Sequence, residues 1–321
     1  MGLVARPAAI GDQRHPVLTY LLTRVAQTLL TLWLILTLTF FGINLAGNPI
    51  SLLVSDSATP QERLALEQSL GLNAAPLERY GRYVIGALTG NLGSSFVFDR
   101  PALPLLLERL PVTLLLVGLS VTLSLLIGVP LGVIAAARHG SRLERAILAA
   151  SAVAVSAPTF FIGIVLIFAF TVQWRVLPSQ GAGDWTHFIL PALTLSIPRI
   201  ALFTRYIRAG LLEVLPADFV RTARAKGVSR SGVLYGHALR NALLPFVTVL
   251  GLQLGGLLSG TVITETLFAL PGMNRLALEG MTRLDYPLIL AYTLIASGAI
   301  AVFNLVTDAL YSLVDPRVSY A

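Results

Sequence analysis

The stretch with the most chemical reach is Asp218 to Pro245, which reads DFVRTARAKGVSRSGVLYGHALRNALLP. Arg221, Arg224, Lys226, Arg230 and Arg240 give it a basic, water-seeking character inside an otherwise apolar protein. The chemistry that such residues support is electrostatic docking on a partner, since guanidinium and ammonium groups pair with carboxylates and phosphates. A second group with chemical reach is Arg199, a lone cation in an apolar run directly after Pro198. An ionisable residue at membrane depth is a functional position by default. Either Arg199 lines a water-filled path and meets an anionic group there, or its stem snorkels toward Arg205 at the inner face. Catalytic constellations are absent from the pattern. There is no Cys, and His15, His139, His187 and His237 have no metal-ligand spacing. Neither a GxxxxGK[ST] phosphate loop nor HExxH occurs.

Local signals say how the basic stretch is held. Asp218 can cap a short helix running to Lys226. Gly227 suits a left-handed stop after it. Ser229 can cap a second helix that continues without interruption into an apolar run. The expectation is a helix, a Gly turn and a helix at a membrane surface, forming a rigid basic lever.

The elements that must carry this lever are membrane spans. The chain has 321 residues, 55% hydrophobic and 12% charged, with mean hydropathy +0.78. A soluble domain is about a quarter charged. Six stretches approach the ~20 apolar residues a bilayer needs: Val17–Ile43, Val112–Ala137, Ala146–Val172, Phe188–Ile207, Ala242–Phe268 and Pro287–Leu313. The fourth is the weakest because it holds Pro191, Pro198 and Arg199. The expected class is an all-α integral membrane protein with a tail at 1–16 and a membrane domain at 17–321. The short segment 138–145 carries Arg138, Arg142 and Arg145, and 205–240 carries the basic stretch. By the positive-inside rule both termini are then cytoplasmic. The same rule accounts for the net charge of +7 and pI ≈ 10.1, so nucleic acid is not an expected partner.

The outer loop, 44–111, is long enough for its own helices. Thr59-Pro60-Gln61-Glu62 reads as a capping box with Pro at the first helical position. Gly71 is a stop, and a second helix starts at Pro76 and closes at Gly90, with Leu77, Tyr80, Val84 and Leu88 on one face. It reads equally as a docking or lid element and as a cap over the helix ends. Gly128/Gly132, Gly251/Gly255 and Gly256/Gly260 are seams that let helices approach closely. Most such seams are ordinary packing. Glu265 falls at an interfacial outer end, and Asp308 near the inner end of the last span.

Arg221-Thr222-Ala223-Arg224-Ala225-Lys226-Gly227, followed by His237-Ala238-Leu239-Arg240-Asn241-Ala242-Leu243-Leu244-Pro245, resembles the cytoplasmic signature of ABC importer permeases, in the dipeptide/oligopeptide/nickel branch. Leu70-Gly71-Leu72-Asn73, Gly90-Asn91-Leu92-Gly93-Ser94-Ser95, Glu265 to Met273, Asp285-Tyr286-Pro287 and Asp315-Pro316-Arg317 with Tyr320 extend the resemblance along nearly the whole chain. It departs where the general signature has Glu-Ala-Ala: Arg221-Thr222-Ala223 stands there, so a Glu-based salt bridge to the ATPase is not implied.

The resemblance implies a type I ABC importer permease fold in a bacterial inner membrane. It implies a homologous second permease, two cytoplasmic ATPases and an extracytoplasmic substrate-binding protein as partners. The coupling segment would be 209–241, with Asp218, Arg221, Thr222, Ala223, Lys226, Gly227 and Val228 at the ATPase and Arg199 as the pathway candidate. ATP and Mg would belong to the partner ATPases. This chain would hold no cofactor and would not itself be catalytic. Di- or oligopeptides are the first cargo class, with nickel, metal chelates and glutathione as alternatives. A secondary transporter driven by an ion gradient is the competing class, and it would usually show midplane carboxylates and an inverted repeat.

Overall fold

The computed structural model describes residues 16–54 and 58–314, and all its regular elements are helical. In chain order they are α1 (Pro16–Ala46), α2 (Ile50–Leu53), α3 (Pro60–Ser69), α4 (Pro76–Thr89), α5 (Ala102–Ala137), α6 (Arg142–Ser156), α7 (Thr159–Ile167), α8 (Ile189–Val214), α9 (Asp218–Ala225), α10 (Leu239–Gly260), α11 (Val262–Leu267), α12 (Met273–Thr282) and α13 (Tyr286–Val314). A π-helical stretch, Phe168–Gln173, extends α7, and another, Gly232–Ala238, leads into α10. The tail before Pro16, the side chain of Asp308, the surroundings of Gly255 and the Asp315–Arg317 motif with Tyr320 lie outside the described residues.

Among the described residues, α1, α5, α8 and α13 are each long and apolar enough to cross a bilayer, and two bent pairs raise the number to as many as six. The third expected span is such a pair. Residues 142–156 and 159–173 meet at 102°, because Pro158 holds Ala157 extended, at ψ 130°. The 15 residues of α6 reach only ~22 Å, short of the ~30 Å hydrocarbon core. The fifth expected span also breaks: α10 ends at Gly260, and α11 is a separate short helix. The outer loop is shorter than 44–111, since α5 already begins at Ala102 and runs through Pro111.

The weakest expected span is the centre of the bundle. Leu190, Leu195, Phe203, Ile207 and Leu211 of α8 are fully or almost fully buried. A helix packed on protein needs fewer apolar residues around its circumference than one facing lipid. It lies most extensively against α5, along the Gly128/Gly132 seam. A Cβ on Gly132 would stand 2.7 Å from Ile207 Cβ and 2.8 Å from Thr204 O. Thr204 Oγ1 donates to Gly128 O at 3.2 Å. Gly256 and Gly260, by contrast, face nothing within 4 Å.

The end bearing α2 to α4 is pinned by two carboxylates. Asp285, fully buried, accepts from Ser95 Oγ at 2.5 Å, Phe96 N at 3.2 Å, Val97 N at 3.3 Å and Leu288 N at 3.3 Å. It thus caps α13 and holds the loop after α4. Glu265 is not interfacial, as its position suggested. It has no exposed surface, because α11 turns it beneath the start of α12. There it accepts from Thr113 Oγ1 at 2.7 Å, Thr261 Oγ1 at 2.8 Å and Arg275 N at 2.9 Å. The capping box at Thr59 and Glu62 forms as expected, and Gly71 and Gly90 take positive φ. The buried face of α4 is turned from the expected one. Tyr80, Tyr83, Val84 and Ala87 point inward, while Leu77 and Leu88 are exposed.

Candidate functional site

The lever forms as a helix, a Gly turn and a helix, with two changes. Asp218 is the first residue of α9 and not its cap: Ala217 holds the extended cap position and makes no side-chain bond. The Asp218 carboxylate pairs with Arg221 at 2.8 Å on the open surface, where it also complements the positive helix start. Val228 N donates to Ala223 O at 3.2 Å and Gly227 N to Arg224 O at 3.0 Å. With φ of +79° at Gly227 this is a Schellman stop. Ser229 Oγ then accepts from Gly232 N at 3.2 Å and starts the next helix. That helix does not run straight into the membrane. Residues 232–243 and 245–251 meet at 48°, where Pro245 removes a backbone donor and crowds the preceding turn.

Burial divides α9 sharply. Val220 and Ala223 pack on Val233 of the second helix, with Val214 beside them. Arg221, Thr222, Arg224, Lys226 and Val228 are exposed, as is Phe219. Exposed Phe219 and Tyr235 give this basic surface an apolar component that the charge pattern alone did not reveal. The only signal for them was an aromatic residue standing among the polar positions of each helix.

The lever's end of the bundle holds a polar junction that sequence reading missed. Glu144, almost wholly buried, accepts from Arg208 Nε at 2.6 Å and Gly140 N at 2.5 Å, and its other contact is His139 Nδ1 at 3.0 Å. This joins the α5–α6 turn to α8 two turns before α8 ends. Arg230 Nη2 also reaches Ala137 O at 3.4 Å. On the far side of α8, a Cβ on Gly210 would stand 3.2 Å from Ala242 O of α10. α9 itself packs on the second helix, which leads directly into α10.

Arg199 lies ten residues into α8, ~15 Å along its axis. Nη1 donates to Leu195 O at 2.5 Å, and buried Nε has no partner. The guanidinium turns back one helical turn, away from Arg205. Among the described residues no carboxylate neutralises it. The structure places Arg199 and the α9 lever on the same helix-to-lever path but not in one site. Among the described residues no group of His, Asp or Glu could hold a metal ion.

This geometry, a multi-pass bundle with an exposed helix–turn–helix lever at one end, is the type I ABC importer permease fold. A solved inward-facing structure of the MetNI methionine ABC transporter overlays with TM-score 0.55, covering 66% of this chain and 96% of that one at 18% identity. Residues 128–320 match the family described as binding-protein-dependent transport system inner membrane component, and the chain belongs to that family. It is 38% identical to the probable peptide ABC transporter permease protein y4tP of Sinorhizobium fredii over 94% of this chain and 99% of that protein. It is 36% identical to the glutathione transport system permease protein GsiC of Escherichia coli strain K12, again over 94% and 99%. Family membership sets aside the reading as a gradient-driven secondary transporter.

Proposed function

We propose that the chain forms half of the translocation pathway of an ATP-driven importer for di- or oligopeptides in a bacterial inner membrane. The observation that carries the mechanism is the exposed face of α9, with its opposite face keyed to Val233 and thereby to α10. Asp218, Arg221, Thr222, Lys226, Gly227 and Val228 sit in or beside a groove of a cytoplasmic ATPase, and Ala223 keeps the lever closed on itself. Both termini of the chain are cytoplasmic in this arrangement. ATP and Mg are bound by the ATPases, a homologous second permease completes the pathway, and an extracytoplasmic binding protein delivers cargo. When the ATPases close on ATP, the lever moves and the Glu144–Arg208 junction carries the motion to α5 and α8. The bundle then exchanges one open side for the other, as a switch between two packings.

Arg199 is the group of the pathway that meets the cargo. Its unpartnered Nε and mid-helix depth suit a carboxylate, which every peptide with a free C-terminus carries. Glutathione also carries carboxylates, and the similarity to a glutathione permease makes it the second cargo reading. The test is ATP hydrolysis by the complex in lipid nanodiscs with dipeptides, longer peptides, glutathione, nickel and metal chelates added singly. Stimulation by a peptide only with the binding protein present is the expected result. Stimulation by nickel or a chelate alone overturns the cargo, and failure of any ATPase to co-purify overturns the coupling role of α9.

A further inference from the structure

The end of the bundle opposite α9 holds a groove of ≈ 790 Å³ between α1, α3, α4 and the start of α13. One wall is apolar, with Phe40 and Ile43 of α1, Leu66 of α3 and Leu290 of α13. The other carries Arg79 and Arg82 of α4. Arg79 is half-buried, lies 5.8 Å over the Tyr286 ring, and has no carboxylate partner among the described residues. Burial, with Arg82 nearby, holds its pKa below the usual guanidinium range. Arg82 has only a long pairing with Glu78, at 3.8 Å on the surface. Asp99 is the acidic residue of the lining, which leaves the groove net positive.

The surroundings indicate which anion fits. Leu38, Phe41 and Leu45 of α1 are exposed on the side turned from the groove-lining Phe40 and Ile43, as on a helix that faces lipid. Along α4, Leu77, Ile85 and Leu88 are exposed on one face, the pattern of a helix lying in a membrane interface with its cations at headgroup level. The groove thus sets its apolar wall beside a pair of cations, between helices of lipid-facing character. An acidic protein loop would use the cations but leave the apolar wall without a function. We propose that this groove binds an anionic phospholipid, with the headgroup phosphate between Arg79 and Arg82 and an acyl chain against the apolar wall of Ile43, Leu66 and Leu290. The inference depends neither on the cargo nor on ATPase coupling.

The test is native mass spectrometry of the full chain, in the complex with which it purifies, titrated with phosphatidylglycerol, phosphatidylcholine or inorganic phosphate. Wild type is expected to bind phosphatidylglycerol more tightly than phosphatidylcholine. R79Q/R82Q should weaken phosphatidylglycerol roughly thirtyfold, the weight of two arginines at a membrane surface, and leave phosphatidylcholine unchanged. R63Q/R109Q, which removes arginines of the same end outside the groove, should change neither. If the double variant melts at a lower temperature, R82Q alone decides, with an expected loss of roughly fivefold. Equal binding of both lipids by wild type overturns the proposal, as does unchanged phosphatidylglycerol binding in the charge-neutralised variants. Competition by inorganic phosphate as effective as by lipid assigns the site to a free anion and also overturns it. So does loss of binding-protein docking with lipid binding intact, which would assign the arginines to a protein carboxylate.

Discussion

The two ends of the bundle use their carboxylates in opposite ways. At the end bearing α2 to α4, Asp285 and Glu265 are fully buried and accept from hydroxyls and backbone N–H groups. At the α9 end, Glu144 is also buried but holds the Arg208 cation, and on α9 itself Asp218 pairs with Arg221 in open water. Neutral donors arranged around a buried carboxylate fix geometry and are indifferent to salt. Exposed ion pairs are worth ~0–1 kcal/mol and exchange partners easily. One end is therefore set once, during folding, while the other stays available to a charged partner.

The largest expected effect comes from breaking the fixed end. Asp285→Ala strands the donors of Ser95, Phe96 and Leu288, while Val97 N keeps Ser95 Oγ at 3.3 Å. Each buried donor without a partner costs ~1–3 kcal/mol, so the three together are expected to cost about 3–9 kcal/mol. Thermal unfolding of the purified chain in detergent reads it. A change under about 1 kcal/mol would show that this end is not a frame. Next comes the seam that links the ends. Gly132→Ala forces a methyl onto Ile207 and Thr204 O, and overpacking costs ~1–3 kcal/mol. Gly256→Ala meets nothing within 4 Å and should leave the melting temperature of the isolated chain unchanged. Equal effects at the two sites would refute the close α5–α8 approach.

At the lever, Gly227→Trp places a side chain at φ +79°, which costs an L-residue ~1–2 kcal/mol, and unravels the α9 stop without touching the bundle. Membrane insertion should persist while uptake falls at least tenfold. Gly227→Asn, which tolerates the left-handed region, should retain most of it. Normal uptake by the Trp variant would remove α9 from the coupling path.

Much of this contrast was legible in the chain, but unevenly. The Thr59–Glu62 box, the stops at Gly71, Gly90 and Gly227 and the Gly128/Gly132 seam are local chemistry, and each stands where its residue types require. The frame was not legible, because its partners are 190 residues apart for Ser95 and Asp285 and 152 apart for Thr113 and Glu265. No periodicity links such distant positions. The fourth span was underrated for a related reason: hydropathy measures fitness for lipid, whereas α8 is buried in protein. The 102° break after Ser156 was marked by Ala157-Pro158, yet an apolar run on both sides disguised it. In the candidate site, the helix, Gly turn and helix stand where the residue pattern put them, while Phe219, Tyr235 and the Glu144 junction emerge only when burial is known.

The smallest expected effect on folding is also the sharpest probe of the movable end. Arg221→Ala removes an exposed pair with Asp218, whose side chains are 70% and 92% exposed. Screening and side-chain entropy leave such a pair below ~1 kcal/mol, so the melting temperature of the isolated chain should scarcely move. Docking is different, because in the assembled complex Arg221 would face a protein surface from which water is excluded, and an interfacial charge there influences association strongly. ATPase co-purification at low salt should therefore fall severalfold in Arg221→Ala, and raising ionic strength should weaken wild type toward the variant. Equal salt sensitivity in both would mean that the apolar residues Phe219 and Tyr235 carry the contact. Phe219→Ala would then be the variant that separates from the ATPase.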